Sequence, residues 1–389
     1  KIQAHVLFSL HFVGAFHSYI RYHRLSFSLQ IFSHLFVMNF NKQLFLLLNL
    51  FSVLFLSGER VLQAEAGHHH HHHHHHGPTK LFVFGDSYAD TGNIQRAVSN
   101  SWKDPYGITF PGKPAGRFSD GRVLTDYIAK YLKVKSPIPY RYRKLMPQHV
   151  KYGMNFAFGG TGVFNTLVPL PNMTNQIDFL QQLIKDKVYS ALDLTNSVAL
   201  VSVAGNDYSH FLQTNGSEGI ASFVASVINQ TTMNLIRIRE LGVKKVVVGA
   251  LQPIGCLPQI TASTSFQRCN ETPNALVLLH NTLLNEAVTM LNQQTKESST
   301  FRILNLFDSF MSVLNHPSTH NIRDRLKPCC VGVSSNYSCG SVENNVKKYR
   351  VCDDPKSAFF WDFVHPTQAG WHAVYNKLRT MNDLQRILY

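Results

Sequence analysis

The sequence predicts an α/β fold: a parallel sheet with helices on both faces. Three observations carry this. Short apolar runs rich in β-branched residues and phenylalanine stand at 81–84, 154–158, 198–203, 245–251 and 301–307, each bounded by Gly, Pro or Asn, and such runs are strand signals. Several are apolar throughout rather than alternating, which suits strands buried on both faces. Helical patterns fall between them at 120–132, 174–185, 220–241 and 274–295, with a last helix at 367–379. That alternation is the pattern of a parallel sheet covered by helices.

Taken in order, the first run ends on Gly85-Asp86-Ser87. The abrupt polar turn sets a hydroxyl at the carboxyl edge of the sheet, where open α/β sheets hold ligands. Residues 105–121 are dense in Pro and Gly and read as a long ordered loop before the first helix. The second run leads into Gly159-Gly160-Thr161-Gly162, and the third into Gly205-Asn206-Asp207. Residues 317–355 hold four cysteines with little periodicity and read as a disulfide-pinned loop insertion. Pro366 and Thr367 then start the last helix. No internal repeat is present.

The fold occupies residues 80–389, long for one domain but acceptable for an α/β enzyme. Residues 1–37 precede the first methionine, Met38, and read as translated upstream sequence or an N-terminal extension. Lys42, the mostly apolar run 44–56 and the small residues around Ala64-Glu65-Ala66 make 38–66 a secretory signal peptide. That run is shorter than the roughly 20 residues that span a bilayer, so no transmembrane anchor is expected. The linker 67–79 carries nine histidines, His68 to His76, as a natural low-complexity run or an affinity tag. Loose metal binding by such a run is not a site.

The six cysteines, Cys256, Cys269, Cys329, Cys330, Cys339 and Cys352, all lie after the signal peptide. An even number there implies disulfides in an oxidising compartment. Cys256 with Cys269 would close one short loop, and the pairing of the other four is open. Paired CxxC spacings are absent, which argues against a zinc site. N-x-[ST] sequons at Asn172, Asn215, Asn229, Asn270 and Asn336 agree with a secreted glycoprotein. The net charge of +14 comes from short, scattered basic clusters. None forms the aromatic-interleaved stripe of a single-strand binder, so no nucleic-acid partner is expected. The charge suits general attraction to an acidic matrix such as a pectic wall.

A serine hydroxyl needs a base, usually histidine, and the histidine needs an orienting partner. Asp362-Phe363-Val364-His365 supplies both if the loop folds back to bring the carboxylate to Nδ1. The oxyanion of a tetrahedral intermediate needs donors. The glycine loop ending at Gly160-Thr161-Gly162 offers backbone N–H groups, and Asn206 offers an amide. Each piece alone has a plain reading: Ser87 a helix N-cap, Gly160 a tight turn, Asn206 a cap and His365 a satisfied loop histidine. Ser119, Asp120, Asp207 and His372 are read as structural, with Asp207 bracing the loop that carries Asn206.

Together, and in this order, these pieces resemble the four blocks of the GDSL, or SGNH, esterase/lipase family. Asp90-Thr91-Gly92-Asn93, the stretch from Gly116 to Arg122 and Pro253-Ile254-Gly255-Cys256-Leu257-Pro258 resemble its plant branch. The resemblance spans about residues 80–380. It implies a three-layer αβα sandwich, flavodoxin-like, with a five-stranded parallel sheet. It implies Ser87 as nucleophile, His365 as base and Asp362 as its orienter. The oxyanion hole would be the N–H groups of Ser87 and Gly160 and the side chain of Asn206. Tyr88 replaces the usual leucine and Phe158 a residue that is often small, and both bear on the substrate rather than the reaction. The G-x-S-x-G elbow of the α/β-hydrolase fold is absent around Ser87.

The expectation is a secreted, monomeric serine esterase or lipase of the apoplast or cell wall. It acts through an acyl-enzyme, without cofactor or metal, on a small-molecule, lipid or acylated-polysaccharide ester. Activity should fall below about pH 6.5 as the base protonates. The alternative is a catalytically minor member acting as a wall-matrix or defence-complex binding protein.

Overall fold

The computed structural model describes residues 77–166, 168–295 and 300–388. The expected extension, signal peptide and histidine run lie outside the described residues. The central sheet is wholly parallel, built from β1 (Lys80–Gly85), β2 (Ile138–Pro139), β3 (Gly153–Asn155), β4 (Ser197–Ser202), β5 (Lys245–Gly249) and β6 (Phe301–Leu304). Its strand order is β2-β3-β1-β4-β5-β6. The chain therefore leaves β1 for one side of the sheet and returns to the other. The carboxyl ends of β3, β1 and β4 flank this switch point, the usual place for a ligand crevice.

The longer helices among the described residues are α1 (Leu124–Tyr131), α2 (Met173–Lys185), α3 (Gly205–Asn215), α4 (Ile220–Glu240), α5 (Glu271–Thr295), α6 (Leu306–Asn315) and α7 (Gln368–Thr380). Alternate side chains of β1 serve two cores. Leu81 and Val83 pack with α1, α6 and α7, while Phe82 and Phe84 pack with α2, α4 and α5. This period of two in a strand with no polar face is what two-sided burial demands. It makes the three-layer αβα sandwich.

Several boundaries differ from the sequence expectation, each for a local reason. The sheet has six strands rather than five, because the two-residue β2 joins at the edge. It ends on Pro139, whose missing N–H is tolerated only at such a place. Strand β3 stops at Asn155, although Phe156 and Phe158 still donate to the Val83 and Gly85 carbonyls. Strand β6 stops at Leu304 because Asn305 caps α6 by accepting from the Asp308 N–H at 3.1 Å. The apolar residues of α6 had read as more strand. Helix α1 begins at Leu124, not Asp120, since Asp126 accepts from the Val123 N–H at the helix start. Residues 317–355 are more ordered than a loop. Asp324–Pro328 pairs in parallel with Ala358–Phe360, and Cys330–Gly332 pairs antiparallel with Tyr349–Val351.

The disulfides join Cys256 to Cys269, Cys329 to Cys352 and Cys330 to Cys339. The two in the insertion pack with Tyr106 and the buried Trp361, next to Asp362. No helix among the described residues is long and apolar enough to cross a membrane.

Candidate active site

Gly85 ends β1 in the grip of Gln176, whose Oε1 accepts from the Gly85 N–H at 2.8 Å and whose Nε2 donates to the Gly85 carbonyl at 2.9 Å. The chain then turns. The Asp86 carbonyl accepts from the Ala89 and Asp90 N–H groups, and no helix follows. Ser87 is thus no helix cap. Its Oγ lies 2.8 Å from His365 Nε2, across 278 residues of chain.

The histidine loop folds back as the Asp-x-x-His spacing predicted. His365 Nδ1 is 2.9 Å from each carboxylate oxygen of Asp362. Asp362 Oδ1 also accepts from the N–H groups of Val364 at 2.9 Å and His365 at 2.8 Å, and Oδ2 accepts from the Tyr106 hydroxyl at 2.7 Å. Burial pushes this carboxyl up, but the His365 ring and these N–H donors outweigh it and hold it below the usual carboxylate range. The loop is clamped from outside. Ser119 Oγ donates to the Pro366 carbonyl at 3.0 Å, Asp120 Oδ1 accepts from the Gln368 N–H at 2.6 Å, and the Phe118 ring lies 4.9 Å from the His365 ring.

Gly160 and Asn206, the predicted oxyanion donors beside Ser87, follow the neighbouring strands β3 and β4. Gly160 has φ +83°, which favours glycine, and its carbonyl is fixed by the Thr166 hydroxyl at 2.7 Å. Asn206 is the second residue of α3, and its Nδ2 donates to the Thr161 carbonyl at 2.9 Å. An amide nitrogen has two hydrogens, so one remains. Among the described residues no acceptor meets the N–H groups of Ser87 or Gly160. Ser87, Gly160 and Asn206 all line one cavity of about 900 Å³.

Residues 81–378 match the sequence profile of the family described as GDSL-like Lipase/Acylhydrolase. The chain belongs to this family. Among its relatives, Arabidopsis thaliana GDSL esterase/lipase At5g03610 is 60% identical over 310 residues, covering 78% of this chain and 86% of the relative. GDSL esterase/lipase At3g09930 of the same plant is 53% identical over 310 residues, covering 77% and 87%. Among solved structures, the acetylxylan esterase Axe2 of Geobacillus stearothermophilus is 12% identical with a TM-score of 0.36, covering 80% of this chain and 95% of that one. So loose a likeness carries nothing further. The chain is a carboxylic ester hydrolase of the plant GDSL type.

In this GDSL hydrolase the remaining motif residues tie the site loops together. Asp90 accepts from the N–H groups of Gly92, Asn93, Ile94 and Gly159, while Asn155 Nδ2 donates to the Ala89 carbonyl at 2.7 Å. The loops after β1 and β3 are thereby one unit. Asp207 ties the start of α3, which carries Asn206, to the second loop: it accepts from Val163 and Phe164 N–H groups, each at 2.9 Å. Burial drives the carboxyls of Asp90 and Asp207 up to about 6 and that of Asp86 up to about 7, against the hydrogen bonds they accept. Tyr88 is buried. Its hydroxyl donates to the Val364 carbonyl at 2.8 Å, so it also fixes the histidine loop. His372, on α7, has its ring 5.8 Å from that of Tyr127 on α1 and is not among the residues lining the cavity with Ser87.

Sequence reading missed Tyr106. It lies 256 residues from Asp362 and no local pattern links them. It also missed Gln176, whose only signal is a polar residue at an inward position of a helix.

Proposed function

We propose that the GDSL hydrolase works as a serine esterase through an acyl-enzyme. His365 Nε2 takes the proton of Ser87 Oγ as the oxygen attacks the ester carbonyl. The oxyanion receives the N–H groups of Ser87 and Gly160 and the free amide hydrogen of Asn206. The imidazolium, held by Asp362, then gives its proton to the leaving alcohol. Water repeats the sequence to release the acid and restore Ser87. The observation that carries this reading is the unbroken chain Asp362–His365–Ser87, with contacts of 2.9 and 2.8 Å ending at a cavity. Ser87→Ala should abolish turnover of a short p-nitrophenyl ester and covalent labelling by a fluorophosphonate. Full activity in that variant would sink the mechanism.

We also propose that the protein is extracellular. Three disulfides support this, since such bonds persist in oxidising compartments. So do the exposed sequon residues Asn215, Asn229, Asn270 and Asn336. Asn172 is the exception: its Nδ2 donates to Asn165 Oδ1 at 2.8 Å while its Oδ1 caps α2. Expressed in a plant cell with residues 38–66 retained, the protein should reach the medium and lose mass on amidase deglycosylation. Glycan-free retention inside the cell would contradict this.

A further inference from the structure

We propose that the amino end of the sheet, opposite Ser87, carries a docking face for a linear acidic polysaccharide, a polyuronide with carboxylates along its chain. The choice of a glycan over an acidic lipid rests on the extracellular reading above.

No Asp or Glu occurs between Asp126 and Asp178, yet Lys135, Arg141, Arg143, Lys144 and Lys151 all do. Most of these cations lie on the connection from β2 to β3, which is built of two short 3₁₀ turns, Tyr140–Tyr142 and Pro147–Tyr152. Because β2 is an edge strand, the connection stands at the margin of the sheet. Arg143, Lys144 and Lys151 line a cavity of about 630 Å³ together with Lys80, Asp186 and Asp193. Lys80 begins β1, and the other lining residues precede β3 or β4, so the cavity sits at the amino end of the strands. At ~3.3 Å per residue, β1 sets it ~17 Å from the end that carries Ser87.

The two carboxylates do not cancel this charge. Asp193 is spent on Lys80 at 2.6 Å, and Asp186 accepts from the Gln182 amide at 2.8 Å. Arg143, Lys144 and Lys151 form no ion pair among the described residues, and neither do Arg96, Lys135 and Arg141 beside them. Aromatic rings hold the cations instead. Arg143 lies 3.8 Å from the Tyr140 ring, and Lys135 and Lys151 share the Tyr152 ring at 5.4 and 5.2 Å. Arg96 and Arg141 share the Trp102 ring at 4.8 and 5.9 Å. The ring quadrupole attracts each cation, and a side chain seated before binding loses less freedom on binding. Like charges gathered on one ring also repel, and a polyanion laid across them relieves that repulsion.

The occupant follows from this chemistry. Cations spread over separate turns call for a ligand with several anions in a row. A single-stranded nucleic acid would need open rings on which to stack its bases. Tyr140 has the Phe179 ring stacked 4.5 Å away as well as Arg143, so it has no open face. Acidic lipids belong to the cytoplasmic leaflet, whereas three disulfides support an extracellular protein. Docked in this way, the hydrolase is held on the polymer by the end of its sheet remote from Ser87.

The test measures binding of the full chain to immobilised polygalacturonate at about pH 8, where histidines are neutral, and ~20 mM NaCl. Lys144 and Lys151 are exposed. Lys144→Glu with Lys151→Glu should weaken binding by about tenfold, and the uncharged pair Lys144→Gln with Lys151→Gln by about threefold. Lys347→Glu with Arg350→Glu, at an exposed basic cluster outside this face, changes the net charge as much as the first pair. It should cost less than about twofold. Raising NaCl to ~0.5 M should release the parent, because the screening length falls from ~20 Å to ~4 Å. Thermal midpoints equal to the parent's confirm that the variants are folded. Equal losses from the two glutamate pairs would mean that only the overall charge acts, and would overturn the proposal. So would failure of the parent to bind polygalacturonate, or binding to phosphatidylserine vesicles in its place.

Discussion

At the residue scale, the site is a serine whose chemistry is set by residues distant in sequence. Asp362 is the most heavily engaged of them: one oxygen takes two backbone N–H groups and the other takes the Tyr106 hydroxyl. Tyr106 touches no reacting atom, so it is a positioning residue. In the proposed mechanism its hydrogen bond draws charge from the carboxylate that would hold the imidazolium. Tyr106→Phe should lower kcat/KM by about tenfold, because Asp362 loses one of the three donors that fix its carboxylate against His365. It should also move the acid limb of the kcat/KM–pH profile to higher pH, because the carboxylate left behind is more basic. A loss of activity with the limb unmoved would mean that Tyr106 acts only through packing.

At the scale of elements, the site is an assembly of strand ends whose loops are tied to one another. Asp90 ties the first loop to the second, and Asp207 ties the second to the start of α3. Glycine is required where these ties pass. A Cβ at Gly162 would collide with the Asp207 carboxylate. Gly162→Ala should therefore break the hydrogen bonds to Val163 and Phe164, release the Gly160 segment and destabilise the fold by about 2 kcal/mol. Thermal unfolding together with turnover of a short ester checks this. A midpoint and kcat both equal to those of the parent would show that the loop tolerates the methyl group.

At the scale of the molecule, buried carboxylates couple the fold to pH. Asp86, Asp90 and Asp207 have folded-state values raised from 3.8 to about 7, about 6 and about 6, chiefly by burial. Between pH 4 and 7 these three carboxyls therefore bind more protons folded than unfolded, and their contribution to stability falls as pH rises through that window; buried His280, lowered from 6.5 to about 4, offsets part of this with the opposite sign. Asp126 and Asp362 are held below the usual range, by Arg117 and by His365, against the opposing effect of burial. Their contribution is present above about pH 4 and is lost on further acidification. The thermal midpoint should thus climb as pH is lowered from 8 to about 5, then drop below about 4. A midpoint that falls steadily from pH 8 to 5 would contradict this balance.

The sequence by itself determined the strand–helix alternation, the two-sided core and the order of the motif blocks. Runs such as Leu81-Phe82-Val83-Phe84 have no polar face, so only a strand covered on both sides can hold them. The spacing of Asp362 and His365 was legible for a similar reason, because three residues in a loop suffice to bring a carboxylate to Nδ1. Other features depended on the packed chain. The two-residue β2 carries too little pattern to be seen, and α6 reads as strand until Asn305 caps it. The pairing of Cys329 with Cys352 and Cys330 with Cys339 depends on which strands of the insertion lie side by side. The tie from Tyr106 to Asp362 and the cation-lined cavity at the amino end of the sheet join residues from separate elements. Local sequence sets backbone preference and burial over a few residues. Contacts across hundreds of residues exist only once the sheet order has brought the strand ends together.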